Sequence, residues 1–333
     1  MIAVEYLGNL GKASTGDGLG ALLAQAQAPF DRPEWWLGLA EHCGFAPIYA
    51  AARGREGLAL LPLCRTDGRV EALANWYTFR WRPLITAGAD GAALIAAIAR
   101  DLKRSAWAAQ FSQLPGEDGT AEALAAGFRA AGWQVSLETH DVNHVLAPRG
   151  RSWAEFLASR PGQLRTTLKR KSGRVACAIA DHFDAADWDA YAQVYAASWK
   201  PTEGSLPFLR AFAEAEGAAG RLRLGIARID GNPVAAQLWT VEGGTAFIHK
   251  LAHREDARAH SPGSVLSAAL FAHALDRDRV SLIDFGTGDD PYKRDWMEDI
   301  RVRYRVTAYN RGHVRSWPAI ARGAIRRLVR KAG

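Results

Sequence analysis

The chain has 333 residues, 48% of them hydrophobic and 23% charged, which is typical of a globular protein and excludes an intrinsically disordered one. No apolar run approaches the ~18 residues that a membrane-spanning helix needs. Cys43, Cys64 and Cys177 match no zinc-binding or redox spacing, which predicts reduced thiols in a cytoplasmic protein. The formal charge of +7 is unevenly distributed, because residues 301–333 contain ten Arg or Lys and no Asp or Glu. Subtracting these ten charges leaves −3 for the first 300 residues. The overall basicity therefore does not indicate a nucleic-acid-binding protein.

The first half of the chain predicts alternating helices and strands. In chain order the elements are a helix at 33–42, a hairpin of two apolar strands at 46–63, a helix at 90–105, a strand at 107–111, a helix at 120–132 with a Thr cap and a Gly stop, and a strand at 133–146.

The second half opens with a long basic helix at 152–171, which Pro161 breaks or kinks. The elements that follow are a helix at 186–200, a hairpin at 221–238, a strand at 245–254, a helix at 261–278, a strand at 280–286, a polar loop at 287–296 and a basic amphipathic helix at 316–331.

Two segments of the chain share one pattern. The hairpin at 46–63 matches the hairpin at 221–238 with an offset of 175 residues, and in the two helix–strand pairs the strands that begin at Trp107 and Val280 have an offset of 173. This agreement predicts two copies of one α/β unit. We therefore expect an N-terminal domain at 1–148, a C-terminal domain at 149–312 and a tail helix at 313–333 that packs back on the N-terminal domain.

The turn A-H-S-P-G-S before the helix at 261–278 is a candidate phosphate site. Ser261 suits the N-cap, and Gly263 has no side chain to block an incoming phosphate. The N–H groups of Gly263 and Ser264 would point outward with the helix dipole. The motif is compatible with a pyrophosphate cradle for coenzyme A and equally with an ordinary capped helix.

The stretch from Asp284 to Trp296 is rich in reactive side chains. Acyl transfer from a thioester needs a base, donors for the oxyanion and a proton source for the leaving thiolate. Asp289 or Asp284 is a candidate base, Lys293 would stabilise negative charge or hold an acidic substrate, and the Tyr292 hydroxyl would protonate sulfur. The alternative is a solvated turn in which the aspartates act as caps.

The segment 160–174 contains six basic residues. It would contact coenzyme A phosphates, a nucleotide-linked substrate or RNA, or it forms a solvated helix face. Aromatic residues are not interleaved with the charges, which weakens the RNA interpretation.

His249 and His253 are four residues apart in a segment that alternates like a strand. At ~3.3 Å per residue they would lie on one face some 13 Å apart, too far to share a metal ion. The sequence therefore predicts no metal site, although either histidine would be able to face the active site.

Several stretches resemble the GCN5-related N-acetyltransferase (GNAT) fold, present twice. The nearest likeness is to the bacterial CelD-type acetyltransferases of cellulose and polysaccharide biosynthesis, which are related in architecture to the FemAB-type peptidoglycan aminoacyl transferases. The stretches are P-F-D-R-P-E-W-W at 29–36, L-P-L-C-R at 61–65, A-L-A-N-W-Y-T-F-R-W at 72–81, R-P-G-Q-L-R-T-T-L-K-R-K at 160–171, A-S-W-K at 197–200, S-P-G-S-V-L at 261–266 and, most specifically, D-F-G-T-G-D-D-P-Y-K-R-D-W at 284–296.

The resemblance implies an α/β fold with mixed sheets and two tandem GNAT-like domains, of which the second carries the acyl-donor site. Where GNAT proteins have the phosphate loop Arg/Gln-x-x-Gly-x-Gly/Ala, this chain has A-R-A-H-S-P-G-S with one glycine. The site residues assigned in this way are His260, Ser261, Gly263, Ser264 and Lys250 for the donor, and Asn75, Tyr77, Arg80, Trp199, Lys200 and Trp296 for the acceptor.

The resulting prediction is an acyltransferase that moves an acyl group, in the first instance acetyl from acetyl-CoA, to an amine or hydroxyl of a sugar, nucleotide sugar or lipid-linked glycan precursor. Two alternatives stay open: a Fem-type enzyme that uses aminoacyl-tRNA, and a degenerate acyltransferase that acts as a scaffold in a membrane or glycan-assembly complex. We expect a cytoplasmic protein, with peripheral contact to the inner membrane face through the tail helix as a further expectation.

Overall fold

The fold comprises two compact units. The computed structural model describes residues 2–10 and 18–332, without the side chains of 324 and 326–332. The first unit contains Met1–Asp141 and Arg301–Gly333, and the second contains Val142–Ile300. This division differs from the domain bounds expected from the sequence, because residues 301–310 form a strand of the first unit's sheet.

The first unit consists of strands and helices that belong mostly to the N-terminal half of the chain. Its elements are β1 (Ala3–Leu7), α1 (Leu19–Leu23), α2 (Pro33–Cys43), β2 (Pro47–Arg53), β3 (Leu58–Thr66), β4 (Arg69–Ala72), β5 (Leu84–Ile85), α3 (Gly91–Leu102), β6 (Ala108–Pro115), α4 (Thr120–Ala130), most of β7 (Trp133–Leu146), most of β13 (Asp299–Asn310) and α10 (Trp317–Ala332).

The second unit follows without interruption. Its elements are the end of β7, α5 (Trp153–Ala158), α6 (Gly162–Lys171), β8 (Ala176–Ala180), α7 (Ala185–Ala196), α8 (Leu206–Ala218), β9 (Leu222–Ile229), β10 (Asn232–Glu242), β11 (Thr245–His253), α9 (Pro262–Ala272) and β12 (Leu282–Thr287).

The sheet of the first unit runs in the order β1-β2-β3-β4-β6-β13-β7. Strands β2 and β3 form the predicted hairpin, and β4 and β6 are parallel neighbours, with Val70 opposite Ala109. Helix α3 connects these parallel strands and directs Leu94, Ile98 and Leu102 into the core, because residues spaced by four share one helix face.

The sheet of the second unit runs in the order β7-β12-β11-β10-β9-β8. Strands β9 and β10 form the second hairpin, and β11 and β12 are parallel neighbours joined by α9. Helix α9 packs closely on β9, since a Cβ at Gly225 would lie 2.9 Å from Leu270 Cδ1. The two units therefore repeat a hairpin and a parallel strand–helix–strand unit, which confirms the duplication predicted from the sequence.

The helix ends differ in detail from the predicted caps. Pro161 separates α5 from α6, as predicted. Thr120 is the first residue of α4 and does not cap it; the N-cap is Gly119 in a left-handed conformation. Ser261 is the N-cap of α9 but has φ 50° and makes no side-chain capping hydrogen bond, because a 3-10 turn, Glu255–His260, feeds directly into the helix.

All three cysteines are free. Burial raises the pKa of the Cys64 thiol to about 12 and that of Cys177 to about 11, so both thiols stay protonated and unreactive near neutral pH. Among the described residues, no helix is both long and apolar enough to span a lipid bilayer.

The buried glycine of α8 provides a test of the packing. A Cβ at Gly217 would lie 2.6 Å from the backbone N of Phe183, which has to move to admit it. We expect Gly217→Ala to lower the free energy of unfolding by about 1–3 kcal/mol. Gly162→Ala, in the first turn of α6, meets no atom nearer than 3.9 Å and should be neutral or stabilising by less than about 1 kcal/mol. Urea unfolding of both variants measures the difference, and equal midpoints would contradict the packing argument.

Candidate active site

The parallel strands β11 and β12 organise the candidate site. They pair over only three positions, from Thr245↔Leu282 to Phe247↔Asp284, and β11 then continues to His253. Because both strands point the same way, the segments that follow them emerge at one edge of the sheet. The start of α9 and the loop 288–295 are thereby brought to the same edge.

A β-bulge lies in the middle of β11. Leu238 of β10 is opposite Lys250 and Trp239 is opposite Ile248, so His249 is the extra residue. A bulge bends its strand and redirects the side chains around it. His249 forms a hydrogen bond of 2.8 Å to the Thr240 hydroxyl, while Lys250 joins a cluster of charged side chains.

That cluster pairs two partly buried amines with one partly buried carboxylate. Lys250 Nζ lies 2.9 Å from Glu203 Oε2, with side-chain exposures of only 15% and 7%, and also lies 5.8 Å from the centre of the Tyr195 ring. Burial lowers the pKa of Lys250 despite the hydrogen bond to Glu203. The pKa of Lys200 is lowered first by burial and next by the charge of Lys250. We call Lys200, Lys250 and Glu203 the amine cluster.

Charged side chains of the loop after β12 also act electrostatically on the amine cluster. Asp290 raises and Lys293 lowers the pKa of Lys200, which places both side chains within electrostatic range of it. The three lysines outnumber the acids Glu203 and Asp290. The arrangement therefore favours binding of a negatively charged group, whose charge would raise the lysine pKa values again.

Lys293 and Asp284 hold the loop itself. The Lys293 ammonium is buried and donates to the carbonyl oxygens of Gly286 (3.5 Å), Thr287 (2.5 Å) and Gly288 (3.0 Å). The buried Asp284 carboxylate accepts from Asn143 Nδ2 (3.1 and 3.2 Å) and from the Gly286 N–H (2.8 Å). These bonds fix a left-handed turn, with φ 68° at Gly286, that an L side chain would strain. Both charged groups thus shape the loop.

Asp289 is one of the exposed acids of the loop. One oxygen lies 2.8 Å from Nε2 of the buried His144, and the other accepts from Arg294 at 2.7 Å. The hydrogen bond from His144, and then that from Arg294, lower the pKa of Asp289. The carboxylate is therefore held ionised and is a weak proton acceptor.

Tyr292 retains its proton. The ring is 41% exposed and meets Phe285 edge-on with centroids 5.6 Å apart. Burial, with a smaller effect of the Asp290 charge, raises the pKa of the Tyr292 hydroxyl. This hydroxyl is a proton donor rather than a base at neutral pH.

The start of α9 is built around Gly263. A Cβ at this position would lie 3.2 Å from Nδ1 of His253, so glycine lets the imidazole approach the helix backbone. The indole of Trp199 lies on the other side of that imidazole, with centroids 4.3 Å apart. Gln237 Nε2 donates to the Gly263 carbonyl at 3.2 Å and to the Ser267 hydroxyl at 2.8 Å, which fixes the first turn.

His253 connects the helix start to the amine cluster. Its pKa is lowered first by burial, then by the positive charge of Arg258, and further by that of Lys200. The imidazole is therefore mostly neutral near neutral pH and is able to accept a proton.

The remaining predicted residues lie in other surroundings. Trp296 is buried in the core of the second unit, where its ring stacks on Phe271 at 4.7 Å. Asn75, Tyr77 and Arg80 belong to the first unit: the Asn75 side chain accepts from the Tyr77 N–H at 3.0 Å, and Arg80 is 2.7 Å from the buried Asp31. The first contact belongs to a local turn of the first unit, and the second joins that region to a residue 49 positions earlier in the chain.

The sequence did not single out Glu203 or His144. Glu203 lies in the irregular segment K-P-T-E-G-S, where no periodicity marks a buried position, and His144 lies among strand residues that read as ordinary core. The one available signal was the proximity of Glu203 to the stretch 197–200.

The buried ion pair of the amine cluster yields a stability prediction. Glu203→Gln leaves the Lys250 ammonium buried without its counter-charge, so we expect a loss of about 3 kcal/mol in the free energy of unfolding. The double variant Glu203→Gln with Lys250→Met should recover part of that loss. Glu214→Gln is the matched control. Glu214 pairs with Arg210 on α8, and their side chains are 48% and 47% exposed. This pair should contribute less than about 0.5 kcal/mol to the free energy of unfolding. Equal losses for the two single variants in urea unfolding would show that Glu203 is not buried with Lys250.

A comparison with protein families gives a match within the second unit. Residues 162–294 match a family model described as an acetyltransferase (GNAT) domain. The match begins at α6 and ends in the loop after β12, so it includes the amine cluster, Gly263 and Lys293. No curated protein matches the sequence.

Three solved structures share the fold over most of the chain. FemX is 11% identical with a TM-score of 0.61, covering 90% of this chain and 96% of its own. L-PGS from Bacillus licheniformis is 13% identical with a TM-score of 0.58, covering 95% and 97%. A tandem GNAT protein from the clavulanic acid biosynthesis pathway is 13% identical with a TM-score of 0.55, covering 92% and 98%.

At these identities the likeness establishes the fold. The predicted α/β class with two tandem GNAT-like domains is confirmed. The matched segment 162–294 and this fold together support an acyltransferase.

Proposed function

We propose that the second unit transfers an acyl group, acetyl in the first instance, from coenzyme A to an amine or hydroxyl of a sugar, nucleotide sugar or lipid-linked glycan precursor. The main support is that the start of α9 and the amine cluster both adjoin His253. A role in polysaccharide biosynthesis of the CelD type is the finer form of this proposal, and it rests on the resemblance of the stretch 284–296.

The residues at the start of α9 fit the pyrophosphate of coenzyme A. The helix supplies outward N–H groups at Gly263 and Ser264, and Lys171 is held nearby by a 2.9 Å hydrogen bond to the Ala259 carbonyl. Nδ1 of His260 is buried and finds no hydrogen-bond partner among the described residues, so it is available to a ligand. A bound acyl-CoA would supply the thioester; the chain supplies positive charge and donors.

His253 is the proposed base. Its lowered pKa keeps the imidazole neutral, whereas Asp289, the base proposed from the sequence, is held ionised by His144 and Arg294. In the transfer step the acceptor nitrogen or oxygen would bond to the acyl carbon and release its proton to His253. The carbon–sulfur bond would then break, and the Tyr292 hydroxyl would give its proton to the leaving thiolate. The proton held by His253 would pass through water to the Tyr292 phenolate and regenerate the hydroxyl.

The amine cluster would hold the acceptor. Lys200 and Lys250 present positive charge beside Trp199, whose indole is 47% exposed. An exposed aromatic face beside amines suits a sugar ring that carries phosphate or carboxylate. The Lys200 ammonium would also stabilise negative charge that develops on the acyl oxygen.

Acetyl-CoA binding tests the donor site. Gly263→Glu places a carboxylate at the phosphate position and against His253, so we expect at least a tenfold loss of affinity in isothermal titration calorimetry, or about 1.4 kcal/mol. Gly162→Glu adds the same charge to the first turn of α6 and should bind as the parent does. Equal affinity in the parent and Gly263→Glu would remove the phosphate cradle.

The pH dependence tests the base. Because the neutral form of His253 is the active one, kcat/KM should rise with pH through a pKa below the usual histidine value of about 6.5. Acetyl-CoA consumption with a panel of amino sugars supplies the assay. His253→Gln should abolish this rise of kcat/KM with pH, and Asp289→Asn should retain it. If Asp289→Asn abolishes the rise and His253→Gln retains it, Asp289 is the base instead. Acetyl-CoA binding without turnover on any acceptor would favour the scaffold alternative.

An aminoacyl-tRNA donor is the second candidate. The observation that favours it is the row of exposed basic residues on α6, namely Arg165, Lys169 and Arg170, close in sequence to Lys171 at the donor site. Binding of tRNA should then weaken steeply with salt. Failure to retain tRNA at low salt would eliminate this candidate.

A further inference from the structure

The tail of the chain is anchored to the first unit at its start. The buried Asn310 donates through Nδ2 to the carbonyls of Lys103 and Ala106, both at 3.0 Å. The buried Ser316 hydroxyl donates to the Trp107 carbonyl at 2.6 Å. These bonds fix the point at which α10 leaves the sheet of the first unit.

Large apolar side chains are concentrated on the surface of this tail. Val314, Trp317 and Ile325 are 64%, 58% and 60% exposed. They are three of the nine large hydrophobic side chains that are exposed in the described part of the chain, yet they fall within twelve consecutive residues. A concentration of this kind marks an interaction surface rather than scattered exposure.

The orientation of α10 leaves this surface open. Trp317, Ala321 and Ile325 are spaced by four residues, so they form one stripe along the helix, and all three are exposed. A different side of the helix, with Ala319, Ile320, Arg322 and Gly323, faces β7 and β13 across a cavity of about 580 Å³. The stripe therefore does not serve to complete the core of the first unit.

The segment that carries the stripe is strongly basic. Arg311, Arg315 and Arg322 are exposed, and the sequence 301–333 contains ten Arg or Lys and no acidic residue. An exposed apolar stripe with Trp in such a basic helix is the pattern of a helix that lies in the plane of a lipid interface. Two such tails would repel each other, so the charge favours an anionic surface over a second copy of the chain.

We propose that α10 binds the surface of an anionic lipid bilayer, with Trp317 and Ile325 inserted at the level of the headgroups and the arginines paired with lipid phosphates. Basic residues near such a surface are attracted to it, and salt screens the attraction. The site of this contact is separate from the amine cluster, so the proposal does not depend on the acyltransferase chemistry.

Vesicle flotation of the full-length protein tests the proposal. The protein should float with vesicles of phosphatidylcholine containing about a third phosphatidylglycerol and should stay behind with phosphatidylcholine alone, and high salt should release it. The double variant Trp317→Glu and Ile325→Glu should bind at least tenfold more weakly. Leu37→Glu, which changes a 55% exposed leucine of α2, should bind as the parent does.

Three results would overturn the proposal. The first is a parent protein that does not float with the anionic vesicles, and the second is equal flotation of the parent and the double variant. The third is a parent that sediments as a dimer in analytical ultracentrifugation while the double variant sediments as a monomer, since the stripe would then join two copies. Urea midpoints equal to that of the parent control for misfolding of the variants.

Discussion

The active-site chemistry depends on the short parallel pairing between β11 and β12. Three paired positions are enough to align the strands, and the helix that crosses between them must then begin where β11 ends. The loop that follows β12 emerges at the same edge for the same reason. The positive end of α9 and a loop fixed by Lys293 are therefore brought together by backbone geometry, before any side chain contributes to binding.

The site uses burial to adjust proton affinity. Removing ammonium groups from water lowers the pKa of Lys200 and Lys250, and the same effect lowers that of His253. Asp289 differs because it is exposed and accepts hydrogen bonds from two side chains, which stabilise the carboxylate. Residues along one edge thus differ in proton affinity: burial favours the neutral forms of Lys200, Lys250 and His253, and hydrogen bonds favour the ionised form of Asp289.

The positive charge of the chain is distributed in two different ways. In the second unit it is concentrated in a partly buried cluster, where a low local dielectric would strengthen its interaction with a small anion. In the tail, residues 301–333 contain ten Arg or Lys without an acidic residue, and charges at the exposed positions Arg311, Arg315 and Arg322 are screened by salt. The net charge of +7 by itself does not show where these charges lie.

The sequence by itself determined the repeat of the hairpin and of the helix–strand pair, and the loop at 284–296, because these depend on local periodicity and on residues adjacent in the chain. It did not reveal strands β1, β8 and β13 or helix α8. It did not determine that Glu203 pairs with Lys250, that His144 holds Asp289, or that Trp296 is a core residue. The first two contacts join residues 47 and 145 positions apart, and Trp296 stacks on a residue 25 positions away. A bulge at His249 also shifts the alternation of covered and exposed sides along β11 by one residue. Only the packed sheet, which sets strand register and burial together, decides them.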